Sequence, residues 1–312
     1  MSTTASARPA APLPARAHGV LDGPPLARRR DCADAVTELD LDAPDEPLAG
    51  LAEATEFLAL VRLHRHPLGV IRTRVEAGYP AAPRLRRAAV MELGLAIQEH
   101  ERRDLAGPPG SVPPCLRRRA RLRDALPPIT VIVTTRDRHG GLERCLDSLA
   151  ALDYPRYEVF VPDAPVRPGT TAPDFAATLA AAEAEACGRI LAFTRDDSIV
   201  DRDWLLAIAE GFTDRRVGCV TGLIMPGPPR RTDFEPLILD ADGTGRGRLP
   251  PPAACSAATS ANLAFDADLL RRLPGPATLH QAIAGGRSAV YQPGAVVWQR
   301  RAPAADTRHP GG

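Results

Sequence analysis

One stretch constrains the fold more than any other: residues 129–163, ITVIVTTRDRHGGLERCLDSLAALDYPRYEVFVPD. Ile129, Val131, Ile132 and Val133 form a β-branched run suited to a strand buried on both faces. Thr134, Thr135, Arg136, Asp137 and Arg138 then turn the chain with polar groups at the strand's carboxyl end. Leu142, Cys145, Leu146, Leu149 and Leu152 follow at i, i+3, i+4, i+7 and i+10, one apolar face of a helix. Tyr154-Pro155 stops that helix. Residues 157–161 read as a second strand, and Asp163 stands just past its end. Such a right-handed βαβ unit, with polar residues past its strand ends, is where open α/β sheets bind ligands.

The chain has 312 residues, enough for one core domain of about 200 residues and a smaller module. Its net charge of +1 gives no global field that would recruit nucleic acid or an anionic membrane. Lysine is absent, which excludes Schiff-base chemistry and a Walker A phosphate loop. The six cysteines (32, 115, 145, 187, 219, 255) form no CxxC pair. They read as reduced thiols of a cytoplasmic protein. No apolar run approaches the ~18 residues of a membrane span, and the N-terminus lacks the apolar core of a secretory signal.

Composition divides the chain into five segments. Residues 1–47 lack periodicity and read as disordered. Residues 48–104 read as a small α+β module: strands at 57–61 and 69–75 joined across Arg65-His66-Pro67, then a helix at 88–101 with Val90, Leu93 and Ile97 on one face. Residues 105–126 read as a linker, Pro- and Gly-rich at first. Its five arginines between 117 and 123 read as a solvated helix face. Residues 127–300 form the main α/β domain, and 301–312 a frayed tail. Within the main domain we expect a helix at 175–186, a third strand at 189–193 and a helix at 204–212. A strand at 217–224, broken by Gly222, comes next. A long mobile loop at 226–254, a strand at 260–265, a short helix at 268–273, and strand pieces at 289–291 and 295–298 complete it.

Asp196-Asp197 follows the third strand. Adjacent carboxylates at a strand end suit a hard divalent cation shared with a diphosphate. Asp163 could accept from a base N–H; its other reading is a turn cap. His64, His66 and His100 have no carboxylate or cysteine partner at recognised metal spacing, and Trp204 and Trp298 read as core.

Three blocks, TVIVTTRDR, RCLDSLAALDYPRYEVFVPDAP and RILAFTRDDSIVDRDWL, together resemble the family 2 glycosyltransferases over roughly residues 127–300. The resemblance implies a three-layer, Rossmann-like GT-A nucleotide-sugar-binding domain preceded by the small module. It implies an inverting transfer of sugar from a nucleoside diphosphate sugar to an acceptor hydroxyl. Thr135, Arg136, Asp137, Arg138 and Asp163 would line the nucleotide, and Asp196 and Asp197 would hold Mg²⁺ or Mn²⁺. The chain departs from the family where the donor-contacting Arg-Asn pair and the acceptor-side Glu-Asp pair would stand. No Asp or Glu occurs between Asp268 and Asp306, so transfer is expected to be very slow or absent, and any activity needs a base from elsewhere: His280, or an acid of the 226–254 loop such as Asp233, Glu235, Asp240 or Asp242. Thr194 stands where many members carry the first acid, and Trp298-Gln299-Arg300 where they carry an aromatic–histidine feature. The alternative is a catalytically eroded relative, a nucleotide- or partner-binding module on the same fold. A dehydrogenase would need a glycine fingerprint that is absent.

Overall fold

The computed structural model describes residues 35–44, 54–76, 81–105, 112–135, 141–162, 187–226, 247–248, 253–254, 261–272 and 287–299. The chain divides into the units Met1–Asp31 and Cys32–Gly312, and every described residue lies in the second. Two sheets organise it. The larger is built on β4 (Ile129–Thr134), β5 (Tyr157–Phe160) and β6 (Ile190–Arg195). β4 lies between β5 and β6, parallel to both, as the βαβ pattern requires. The sheet continues through β11 (Leu263–Asp266), β8 (Val217–Pro226), β12 (Ser288–Gln299) and β10 (Ala253–Ala254). β7 (Ser198–Val200) also pairs with β12.

β4 alternates its side chains between two cores, which is why a continuous apolar run is needed there. Ile129, Val131 and Val133 face one cluster with Cys145 and Leu149 of α3 (Leu142–Ala150) and most of α4 (Trp204–Gly211). Ile132 faces the other, with Leu191, Phe193, Phe265 and the single-turn α5 (Ala267–Leu270). Helix, sheet and helix thus make three layers, and the α/β class expected from the sequence is observed.

The smaller sheet runs β1 (Ala35–Asp40), β2 (Glu56–Leu63), β3 (His66–Arg74) and β9 (Gly247–Arg248). Along β2, Phe57, Ala59 and Val61 pack under α1 (Ala81–Asp104), and Leu58 and Leu60 pack against Leu223, Met225, Val296 and Trp298 of the larger sheet. The two sheets share an apolar interface, so residues 48–104 are not a free-standing module.

Several sequence expectations are revised. Residues 35–40, within the segment read as disordered, form β1, because parallel pairing with β2 buries Ala35, Val36 and Leu39. The segment read as linker contains α2 (Pro114–Asp124). In α1 the buried stripe is Ala82, Leu85, Ala89, Leu93, Ala96 and His100, so Val90 is exposed instead. The 226–254 stretch supplies β9 and β10, one edge strand to each sheet. β8 runs through Gly222, where a Cβ would sit 2.1 Å from the Ala295 carbonyl oxygen. The two terminal pieces are one strand, β12, whose register shifts between Gln292 and Val296 around Pro293-Gly294. The helix expected at 175–186 lies outside the described residues, as does the tail. No helix among the described residues is long and apolar enough to cross a membrane.

Candidate functional site

The parallel register of β4 and β6 sets Thr134 opposite Arg195, so the residues that follow both strands emerge at one edge. The Asp196 amide donates to the Thr134 carbonyl at 3.1 Å, carrying the pairing one residue past the strand. Thr134 Oγ1 donates to the Thr194 carbonyl at 3.1 Å, and Thr194 Oγ1 to the Ala261 carbonyl at 3.2 Å. Thr194 therefore ties three chain segments together through neutral hydrogen bonds.

Asp196 is buried and Asp197 half-buried. Arg195 donates to Asp197 Oδ2 at 2.8 Å. Gln299, at the end of β12, reaches the same carboxylate at 3.3 and 3.4 Å. The chain before α3 presses on this edge: a Cβ on Gly141 would lie 2.7 Å from the Asp196 carbonyl oxygen, so only glycine permits the approach. From that helix Cys145 faces the two acids. Burial first, then the negative charge of Asp196 and Asp197, pushes its thiol up to about 12. Thr135 is buried, and its hydroxyl makes no hydrogen bond with the described residues. Buried hydroxyls are normally satisfied, so this one is a place where a ligand's polar group fits.

Of the residues singled out from sequence, Thr135, Asp196 and Asp197 come together at this edge. Arg136, Asp137, Arg138 and Asp163 lie outside the described residues, as do His280, Asp233, Glu235, Asp240 and Asp242. Trp204 and Trp298 are buried in the core. Trp204 Nε1 donates to Asn262 Oδ1 at 2.9 Å.

The acids offer the hard oxygen ligands a divalent ion takes. Asp197, however, already has the Arg195 guanidinium as counter-ion, which an ion would have to displace. As arranged, Asp197 is ion-paired with Arg195, and Asp196 lies buried beside it.

The histidine reading is corrected. His64 Nδ1 lies 2.7 Å from Asp104 Oδ2, His100 Nε2 lies 3.2 Å from the same oxygen, and Cys115 Sγ lies 3.0 Å from it. Together the four residues bring one potential ligand atom each within 4.8 Å of one another. The sequence signal was His100 and Asp104 at i, i+4, both continuing the buried stripe of α1. Cys115 follows on the next helix, and only the fold brings in His64. These residues line a cavity of about 680 Å³, together with His66, Arg118, Arg119 and Glu210. Burial there, with His100 and Arg119 nearby, holds His66 down to about 4.

No family model matches the chain, and no curated protein does. A solved structure, the crystal structure of GalNAc-T7 with UDP, GalNAc and Mn²⁺, is similar over 60% of this chain and 46% of that one, at 14% identity and a TM-score of 0.44. The chain thus spans less than half of that protein's length.

Proposed function

We propose that this chain binds a nucleoside diphosphate sugar at the carboxyl edge of β4 and β6, as a divergent GT-A-type glycosyltransferase of family 2 character. The observation that carries this reading is the convergence of Thr135, Asp196 and Asp197 at one edge of three parallel strands, with the Thr135 hydroxyl buried and unpartnered among the described residues. Arg195 and Gln299 complete the edge. A guanidinium held by one carboxylate remains able to donate to phosphate oxygens in a fork. Asp163 and residues 135–138 would contact base and ribose. In the inverting reaction the acceptor hydroxyl attacks the anomeric carbon from the face opposite the leaving diphosphate and gives its proton to a base. A divalent ion, where bound, would neutralise the departing diphosphate.

A second reading keeps nucleotide binding without turnover. It is favoured by the absence of any Asp or Glu between Asp268 and Asp306, since general-base help supplies about 10²–10⁴ in rate.

Calorimetric titration with a panel of nucleoside diphosphates, with and without Mn²⁺, tests the shared part. Binding should weaken in Arg195→Ala by about 1.5–3 kcal/mol, as expected for losing a hydrogen bond to a charged group. Absence of binding to every nucleotide in the panel would remove both readings. Release of free sugar or transfer to a hydroxyl acceptor then separates the enzyme from the eroded module.

A further inference from the structure

We propose that His64, His100, Asp104 and Cys115 form a tetrahedral zinc site, separate from the strand-edge nucleotide site and independent of that reading. The crowding at Asp104 carries it. His64 Nδ1 at 2.7 Å, Cys115 Sγ at 3.0 Å and His100 Nε2 at 3.2 Å all converge on one oxygen, Asp104 Oδ2. A carboxylate oxygen has two lone-pair sites, so three donors cannot all be satisfied there. His100 Nε2 is in fact buried without a hydrogen bond. A cation among the four atoms removes the conflict, because it takes a lone pair from each. Zinc ligands at about 2.0–2.3 Å in a tetrahedron lie about 3.3–3.8 Å apart. The 3.5 Å between Cys115 Sγ and His64 Nδ1 already matches; on binding, the shorter contacts to Asp104 would open and any wider separations, all within 4.8 Å, would close.

The surroundings are those of a ligand set held in place. Asp104 Oδ1 accepts from the Cys115 amide at 3.1 Å, fixing the carboxylate. Asp42 Oδ1 lies 3.6 Å from His64 Nε2, the ring nitrogen facing away from the cluster. At that distance it is not a hydrogen bond, but it places a carboxylate on the side of the ring where metal-bound imidazoles take one. His64 itself has a φ of 52°, a left-handed conformation uncommon outside glycine. Two imidazoles, one thiolate and one carboxylate are a borderline-soft set, which selects zinc over Mg²⁺ or Mn²⁺. On binding, the Cys115 thiol loses its proton to solvent. The ion would cross-link the β2–β3 turn, the end of α1 and the start of α2.

The test uses the full chain, produced with zinc and dialysed against metal-free buffer. Mass spectrometry of the metal content should find about one zinc per chain. Cobalt(II) exchanged into the site should give the intense tetrahedral spectrum with a thiolate charge-transfer band. In Cys115→Ser that band should vanish. Cys115→Ser and Asp104→Asn should each weaken zinc by at least about 100-fold, at or beyond the upper end of what even an outer partner contributes. Folded wild-type chain that takes up neither zinc nor cobalt would overturn the proposal. So would zinc affinity equal to wild type in folded Cys115→Ser and Asp104→Asn. If those variants fail to fold, a cobalt complex of the wild type lacking the thiolate band overturns it alone. Zinc retention should be the same whether or not the chain binds any nucleotide.

Discussion

Replacing Asp203 by alanine should destabilise the protein by roughly 3 kcal/mol. Asp203 precedes α4 and is buried, with its side chain 6% exposed. Its carboxylate takes Arg65 Nε at 3.1 Å, Arg65 Nη2 at 2.5 Å and Arg119 Nη1 at 2.8 Å. It therefore ties the turn of the smaller sheet and helix α2 to the larger sheet. Removing one partner of a buried ion pair costs about 3–5 kcal/mol, because the other charge is left without compensation. Arg119, 14% exposed, meets that description. Arg65, 42% exposed, can rehydrate, so its share falls to the ~0–1 kcal/mol of a surface pair. Glu210 lies near enough to Arg119 to recover part of the loss, which sets the total at the low end.

At about 2–4 °C per kcal/mol for a domain of this size, the melting temperature should fall by roughly 6–12 °C. Urea unfolding should show a lower midpoint with an unchanged slope. Arg202→Ala is the control. Its guanidinium, 68% exposed and 3.9 Å from Asp153, should be worth about 0–1 kcal/mol. A loss in Asp203→Ala no larger than that of Arg202→Ala would show that water reaches the seam and that charge pairing does not hold the sheets together.

Asn262→Ala should cost at least about 3 kcal/mol by thermal unfolding, since it strands the Trp204 indole N–H and the Leu223 and Ala295 carbonyls at about 1–3 kcal/mol each; a loss under about 1 kcal/mol would mean those groups find other partners. Alkylation followed by peptide mapping should label exposed Cys187 and spare buried Cys219 and Cys145, whose thiol stands near 12; rapid labelling of Cys145 in the folded chain would refute that packing. The Thr130 hydroxyl, then the Cys187 amide, hold the Glu158 carboxyl below its ordinary 4.5. Its stabilising contribution is therefore complete above pH about 4.5 and lost as pH falls through the lower folded value. Thr130→Val should narrow its stability gap to wild type on acidification, and a gap constant down to pH about 3 would contradict this.

The parts of the fold legible in the sequence are those whose cause is local. β4, α3, β5 and β6 announce themselves through β-branched runs and an i, i+3, i+4 apolar stripe, and the shared strand edge of Thr135, Asp196 and Asp197 follows from their parallel order. What escaped has a distant cause. β1 is six residues whose burial depends on β2, about twenty positions on. Arg119 reads as one of five solvated arginines until Asp203, 84 residues away, is seen beside it. Gln299 meets Asp197 across 102 residues. His64 reaches Asp104 across 40.

The β2–β3 turn joins two of these long-range features. Leu63 pairs with His66, leaving His64 and Arg65 as a two-residue loop with φ of 52° and 63°. Positive φ at both central positions is the turn geometry that favours Asn-Gly. Histidine and arginine there cost stability locally, about 1–3 kcal/mol for each residue held in that region. Such strain persists when surrounding contacts over-determine it, and here each residue has them. Arg65 grips Asp203, and its neighbour Arg62 grips Asp201 at 2.6 Å, both on the segment leading into α4. His64 turns the other way, into the Asp104 cluster. The smaller sheet is thus joined to the larger by charge at this turn, chiefly through the buried Arg62–Asp201 pair beside it, and the turn presents an imidazole to α1 and α2. An Asn-Gly turn would form more readily and supply neither the Arg65 guanidinium nor the imidazole, which is the physical reason for a bulky, polar pair at positions where the backbone alone prefers glycine.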